Sequence, residues 1–173
     1  VHVNQLNSIG AIEAGIALNA LSLDHLETLT EAEIALLSGS AVAGSGWQGL
    51  CTLLPTAAYF LRMQFQPARK LLERGCAVAL ASDFNPGSSP SGNMNTVVSM
   101  SCIQMKMLPE EAINAATING AYAMQVQHEC GSITRGKKAN LIFTKPIPSI
   151  AYLPYAFGAN LIDKVMINGA FVS

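Results

Sequence analysis

Short, almost continuously apolar segments alternate with segments of helical periodicity along the first two-thirds of the chain. The apolar segments ALSLDHL (20–26), GLCTLLP (49–55) and CAVALASD (76–83) predict strands that are buried on both faces. Strands of this kind belong to parallel sheets covered by helices. The pattern therefore predicts an α/β fold, either an open doubly wound sheet or a (β/α)8 barrel.

Helices are predicted between and after these strands. Isoleucines at 9, 12 and 16 have helical spacing and predict a helix over 8–20. Thr30 and Glu33 form a capping box, which predicts a helix that begins there and ends at Ser38-Gly39. Further helices are predicted over 66–75, 94–107 and 109–124.

The sequence changes character near Gly131. The segments GSITRGKKANLIFTK and KVMINGAFV predict short strands, with a tight Asn-Gly turn at 168–169. We therefore expect an α/β domain over 1–130 and a small β module over 131–173.

The composition is unusually apolar for a chain of 173 residues. Half of the residues are hydrophobic and 12% are charged, whereas soluble domains average about 25% charged residues. The longest apolar runs are shorter than the roughly 18 residues of a membrane helix. We therefore expect no membrane span, and much apolar surface that is buried against a part of a longer chain.

Charge and cysteine content restrict the classes of partner. The net charge is −1 and the longest basic clusters are ARK and GKK, so neither nucleic acid nor an anionic membrane is expected as a partner. The four cysteines are too widely spaced for a CxxC metal or redox site. They are expected to be free thiols in a reducing compartment, the cytoplasm.

Polar side chains stand where three predicted strands end: His2, His25 and Asp83. Nitrogen and oxygen ligands at the shared edge of a parallel sheet suit a metal ion that activates water. Taken singly, a histidine is more often a surface or core residue, and an Asp before Asn-Pro-Gly more often begins a turn. Spacing alone leaves the two interpretations open.

Longer motifs show a resemblance to a known family. PEEAINAATINGAYAM followed by CGSITRGKKANLIF resembles the closing signature of the metal-dependent amidohydrolase superfamily. Within it, HVNQ, LSLDHLE, ASDFNPGSSPS and YLPYAFGANLIDKV resemble the imidazolonepropionase family, over essentially the whole chain. The resemblance implies the C-terminal part of a (β/α)8 TIM-type barrel, followed by strands of a composite β domain.

The resemblance also implies roles for residues. His2 would be a metal ligand after the fifth barrel strand, and Asp83, after the eighth, would be a metal ligand that also accepts a proton from the attacking water. His25, after the sixth strand, would handle protons at that water. Asn85, Gly87 and Ser88 would bind the substrate.

One substrate-binding position departs from the family pattern. Gln5 stands where many members of the family carry Glu, so it is expected to contact the substrate without acting as a base. Asn140 likewise replaces the usual Asp of the closing signature, and this exchange is expected to be structural.

The implied reaction is hydrolytic ring opening of 4-imidazolone-5-propanoate to N-formimino-L-glutamate, in histidine degradation. It would need one divalent or trivalent metal ion, Zn or Fe, with a His-x-His pair upstream of Val1, and a homodimer of the full-length enzyme is expected. The alternatives are another cyclic-amide hydrolase or aminohydrolase of the superfamily, or a non-catalytic remnant.

Overall fold

The computed structural model describes residues 1–42 and 47–172. Four short strands form one parallel sheet in chain order: β1 (His2–Val3), β2 (Ser22–His25), β3 (Leu50–Leu53) and β4 (Val78–Leu80). An open doubly wound sheet reverses its strand order at a switch point, whereas a barrel adds strands sequentially. The sequential order of these four strands is that of a barrel segment.

Helices connect the strands and cover the sheet. Between the strands lie α1 (Ala11–Ala17), α2 (Glu31–Val42), α3 (Pro55–Phe60) and α4 (Ala68–Glu73). After β4 come α5 (Met94–Ile103), α6 (Pro109–Ala116), α7 (Ile118–Ala123) and α8 (Tyr152–Tyr155). None of the helices in the described ranges has the length and apolar character needed to cross a membrane.

The capping box at the start of α2 is confirmed, but the predicted end of this helix is wrong. The Glu33 N–H donates to Thr30 Oγ1 at 3.3 Å, and the Thr30 N–H donates to Glu33 Oε2 at 2.8 Å. The helix continues through Gly39 to Val42. Glycine costs only about 1 kcal/mol inside a helix, and the Ala and Leu residues around it are strong helix formers. By contrast, Gly75 adopts φ 78° just beyond α4 and ends that helix as predicted.

The single helix predicted over 109–124 is also wrong, because the segment forms the two helices α6 and α7. The break falls at Thr117, whose φ and ψ are −119° and −87°. Its hydroxyl donates to the carbonyl of Ile113 at 2.7 Å, a contact by which Thr competes with helical hydrogen bonding. The restart at α7 lets Asn119 Nδ2 donate to the carbonyl of Val78 in β4, at 2.7 Å.

A second sheet follows α7, and α8 lies between its first two strands. Its strands β5 (Leu141–Thr144), β6 (Ile162–Ile167) and β7 (Ala170–Val172) are antiparallel and adjacent in chain order. Asn168 and Gly169 connect β6 to β7 with φ values of 50° and 84°, which suits a type I′ turn. The predicted Asn-Gly hairpin is confirmed.

The core lies between the parallel sheet and its helices. It joins apolar residues of the strands with apolar residues of the helices: Leu23, Cys51, Leu53, Val78 and Leu80 from the strands, and Ile12, Leu37, Leu71, Val97 and Ala112 from the helices. This packing fixes the strands that carry His2 and His25 and the strand that precedes Asp83.

Candidate active site

The carboxyl ends of the parallel strands place the predicted polar residues at one edge of the sheet. His2 lies in β1, His25 ends β2, and Asp83 follows β4. The register pairs His2 with Asp24 and Val3 with His25, so His2 and His25 are diagonal neighbours on adjacent strands. Asp83 follows β4, and the strands β2 and β3 lie between β4 and the strand β1 that carries His2.

The two histidines contact each other directly. His2 Nδ1 lies 2.7 Å from His25 Nε2, and the ring centroids are 4.8 Å apart. His2 is exposed, whereas His25 is 2% exposed. Because a neutral imidazole has one donor and one acceptor nitrogen, one of these two atoms must donate and the other accept.

An unusual backbone conformation directs His25 into the site. His25 and Leu26 adopt φ values of 82° and 69°, in the left-handed region that non-glycine residues rarely enter. The Leu26 side chain is fully buried, and its N–H donates to the carbonyl of Val3 at 3.2 Å. Burial and this hydrogen bond hold the strained turn, as is common at functional sites.

A buried carboxylate lies behind His25. Glu27 is 1% exposed, and its Oε1 lies 3.5 Å from His25 Nδ1. The same oxygen accepts a hydrogen bond from Gln66 Nε2 at 2.9 Å. Sequence reasoning missed Glu27 and Gln66, because both lie outside regular elements and no periodicity indicates their burial. The only signal was the position of Glu27 within the motif DHLE.

Asp83 opens a tightly hydrogen-bonded loop. Its φ is 52°, a conformation that Asp tolerates better than most residues. Ser88 Oγ donates to Asp83 Oδ2 at 3.1 Å, and Asn85 Nδ2 donates to the Asp83 carbonyl at 2.6 Å. The loop therefore orients the carboxylate through its own side chains.

The loop residues predicted to bind substrate are grouped around Asp83. Asn85 Oδ1 accepts the N–H groups of Gly87 and Ser88, both at 2.8 Å. Asn85 and Ser89 also exchange main-chain hydrogen bonds at 3.0 and 3.3 Å. These donors are thus engaged within the loop, and binding of a substrate by Asn85, Gly87 and Ser88 stays a prediction.

Gln5 lies half-buried in a loop that is attached to the start of α2. Glu33 Oε1 accepts hydrogen bonds from Asn4 Nδ2 at 2.7 Å and Ser8 Oγ at 2.6 Å, on either side of Gln5. Burial raises the pKa of Glu33, but the hydrogen bonds from Ser8, Thr30 and Asn4 outweigh it and lower this pKa to about 2. Glu33 therefore stays ionised at neutral pH and fixes both ends of the loop.

The donor chemistry of His2 and Asp83 fits a metal ion, but their number does not complete a site. An imidazole nitrogen and a carboxylate oxygen are ligands that Zn and Fe accept. Within 1–42 and 47–172, His, Cys, Asp and Glu side chains form no group of three or more that could hold a metal. A metal at this edge would therefore need ligands in addition to His2 and Asp83.

Known sequences place the chain among hydrolases. The profile described as the amidohydrolase family matches residues 2–172. The imidazolonepropionase of Flavobacterium johnsoniae is 55% identical over 99% of this chain, and that of Christiangramia forsetii is 54% identical over 99%. The chain spans about 40% of the length of each of these curated relatives.

Solved structures show the same fold at low sequence identity. A zinc-bound adenosine deaminase from Xanthomonas campestris has a TM-score of 0.77 at 22% identity, covering 99% of this chain and 44% of that protein. A 5-methylcytosine deaminase from Klebsiella pneumoniae has a TM-score of 0.75 at 16% identity, covering 100% of this chain and 47% of that protein. The parallel sheet is thus part of an amidohydrolase barrel, and the chain belongs to the amidohydrolase family.

Proposed function

We propose that this chain is part of an imidazolonepropionase, which hydrolyses 4-imidazolone-5-propanoate to N-formimino-L-glutamate in histidine degradation. The observation that carries the proposal is the 55% identity to the F. johnsoniae imidazolonepropionase over 99% of this chain. The grouping of His2 with His25, and of Asp83 with Ser88, at one edge of the sheet supports it.

The proposed site includes one metal ion, Zn or Fe. His2 and Asp83 would hold it together with ligands from outside this chain, because two ligands are fewer than such sites need. The zinc-bound adenosine deaminase of the same fold supports the choice of a divalent metal. When bound, such an ion lowers the pKa of water and polarises a carbonyl.

Two titratable groups of the candidate site, Asp83 and His25, would move the protons of the reaction. Hydrolysis joins a water oxygen to the ring carbonyl carbon and breaks the bond between that carbon and a ring nitrogen. The nitrogen leaves poorly as an anion, so a proton taken from the water must reach it. Asp83 would accept that proton, and His25 would handle protons at the attacking water.

Loop residues would orient the substrate. Asn85, Gly87 and Ser88 surround the Asp83 carboxylate and carry amide, main-chain and hydroxyl donors. Gln5 follows β1 closely and can contact the ring through its amide, although it cannot act as a base. These contacts would hold the imidazolone ring near Asp83 and His25.

The proposal includes a homodimer in the cytoplasm. The four cysteines at 51, 76, 102 and 130 are free, as expected of a protein in a reducing compartment. Sedimentation of the complete natural protein would test the homodimer.

The test is a substrate comparison with the complete, zinc-loaded protein. Absorbance should fall as imidazolonepropionate is consumed, with no turnover of adenosine or cytosine. Turnover of an aminated base in place of imidazolonepropionate would assign the protein to the aminohydrolases. No turnover of any of the three by folded, metal-loaded protein would contradict the proposal.

A further inference from the structure

Glu27 is a buried carboxylate that forms no ion pair with a lysine or arginine in the described ranges. Its Oε1 accepts one hydrogen bond from Gln66, and its Oε2 has no hydrogen-bond partner among the described residues. Removing a carboxylate from water costs several kcal/mol unless other groups compensate for it. Compensation for the buried charge must therefore come from the polar groups that Glu27 faces.

The group that Glu27 faces is the inner nitrogen of His25. Nδ1 of His25 is buried and makes no hydrogen bond in the described part of the chain, and Glu27 Oε1 lies 3.5 Å from it. Hydrogen bonds at catalytic residues are often long before substrate binds and shorten afterwards. A carboxylate accepts and does not donate, so this arrangement favours a proton on Nδ1.

Gln66 and the strained turn hold Glu27 in place. Gln66 is 1% exposed and donates to the carboxylate, while Gln64 Nε2 donates to the main-chain carbonyl of Glu27. The left-handed conformations of His25 and Leu26 turn the chain so that Glu27 lies behind the imidazole. Both the side chain and the backbone of Glu27 are therefore fixed relative to His25.

We propose that Glu27, held by Gln66, is a positioning residue that fixes His25 as the tautomer with its proton on Nδ1. In this tautomer Nε2 carries the lone pair, and Nε2 is the nitrogen that faces His2.

The same tautomer determines the state of His2. Because His25 Nε2 then accepts, the 2.7 Å contact requires His2 Nδ1 to donate. A neutral His2 with a proton on Nδ1 has its lone pair on Nε2, which is the form in which imidazole binds a metal. The buried carboxylate of Glu27 thus determines which nitrogen carries the proton in His25 and in His2.

The tautomer is measured in the complete natural protein with ¹⁵N-labelled histidine, with and without zinc. His25 should give a pyrrole-type ¹⁵N shift at Nδ1 and a pyridine-type shift at Nε2, assigned with His25→Gln. In Glu27→Gln the charge is lost, so both tautomers should become populated. Glu111→Gln, which removes a carboxylate paired with Arg69 on α4, should leave the His25 pattern unchanged.

A pyridine-type Nδ1 in the wild-type protein would overturn the proposal, as would an unchanged pattern in folded Glu27→Gln. The wild-type measurement does not depend on the variant, so a variant that fails to fold leaves the test intact.

The catalytic consequence rests on the proposed function. Glu27→Gln should lower kcat about 10- to 100-fold with little change in KM, the range typical of residues that orient active-site groups. Absence of turnover in the wild-type protein would contradict the proposed function alone, because the NMR measurement needs no substrate.

Discussion

The Nδ1 of His2 lies 2.7 Å from the Nε2 of His25, so residues from two adjacent strands share one hydrogen bond at the mouth of the site. His25 lies beneath the exposed His2, and its other nitrogen faces Glu27. The pair therefore connects a buried carboxylate to the surface where substrate and metal are proposed to bind.

Replacement of His25 should impair proton transfer and leave metal binding unchanged. His25→Gln keeps a polar side chain of similar length but removes the titratable imidazole. We expect turnover of the complete protein to fall by about 10²- to 10⁴-fold, the usual contribution of a general acid–base group. Metal content, measured by mass spectrometry, should stay near that of the wild type. The control is His128→Gln, because His128 is exposed, and it should leave turnover unchanged. Full activity in His25→Gln would show that His25 takes no part in the mechanism.

Replacement of Asp83 should affect both metal content and turnover. Asp83→Asn preserves the size of the side chain and can still accept the hydrogen bond from Ser88, but it loses the negative charge. We expect turnover to become undetectable and the metal content per chain to fall. Asp163→Asn is the matched control, since Asp163 is exposed on β6. A fully active, metal-loaded Asp83→Asn would show that the carboxylate is neither a ligand nor a proton acceptor.

The low pKa of Glu33 should make its contribution to stability depend on pH. The folded-state pKa of about 2 lies below the ordinary value of 4.5, so unfolding binds a proton between these two values. The stabilisation is present above pH 4.5 and is lost as the pH falls towards 2. At pH 7, Glu33→Gln should lower the free energy of unfolding by up to about 3 kcal/mol.

Urea denaturation at pH 7 and at pH 3.5 checks this expectation. The difference between wild type and Glu33→Gln should shrink at the lower pH, because a protonated carboxyl resembles the amide. Glu13→Gln, an exposed position on α1, should show no such dependence. If the free energies of unfolding of wild type and Glu33→Gln differ by the same amount at both pH values, the low pKa of Glu33 is contradicted.

Replacement by alanine should change the free energy of unfolding in opposite directions at two glycines. Gly39 lies inside α2 with a helical backbone, and apart from its chain neighbours and the nearby backbone of α2, no described atom lies within 4 Å of the position that a Cβ would occupy. Gly39→Ala should therefore raise the free energy of unfolding by about 0.5–1 kcal/mol. Gly75 has φ 78° after α4, so Gly75→Ala should lower it by about 1 kcal/mol. Thermal denaturation measures both, and destabilisation by Gly39→Ala would show that α2 ends at Ser38-Gly39 after all.

Apolar runs were sufficient to predict three of the four strands of the parallel sheet, and an Asn-Gly signal predicted the hairpin turn. The strands at 22–25, 50–53 and 78–80 lie inside the predicted segments, and the turn at 168–169 occurs as expected. Helix ends were less predictable, because they depend on single side chains. Thr117 breaks the segment at a position without glycine or proline, and Gly39 fails to end a helix.

The sequence likewise predicts some residues of the candidate site but not the contacts between them. Strand ends identified His2, His25 and Asp83, because parallel strands place their carboxyl ends together. The contact between the two histidines depends on the register of β1 against β2, which no local pattern specifies. Glu27 and Gln66 meet from segments far apart in sequence, so only the folded chain shows that they share a hydrogen bond.

The left-handed turn at His25 and Leu26 has a consequence for how the protein can change during evolution. Two such residues in succession cost about 1–3 kcal/mol each, and the buried Leu26 side chain offsets part of that strain. If Leu26 packed less well, the turn would relax and the imidazole would rotate away from His2 and Glu27. With the proposed role of His25, selection for the chemistry would act on an apolar core residue, and drift at this position would be limited by catalysis as well as by folding.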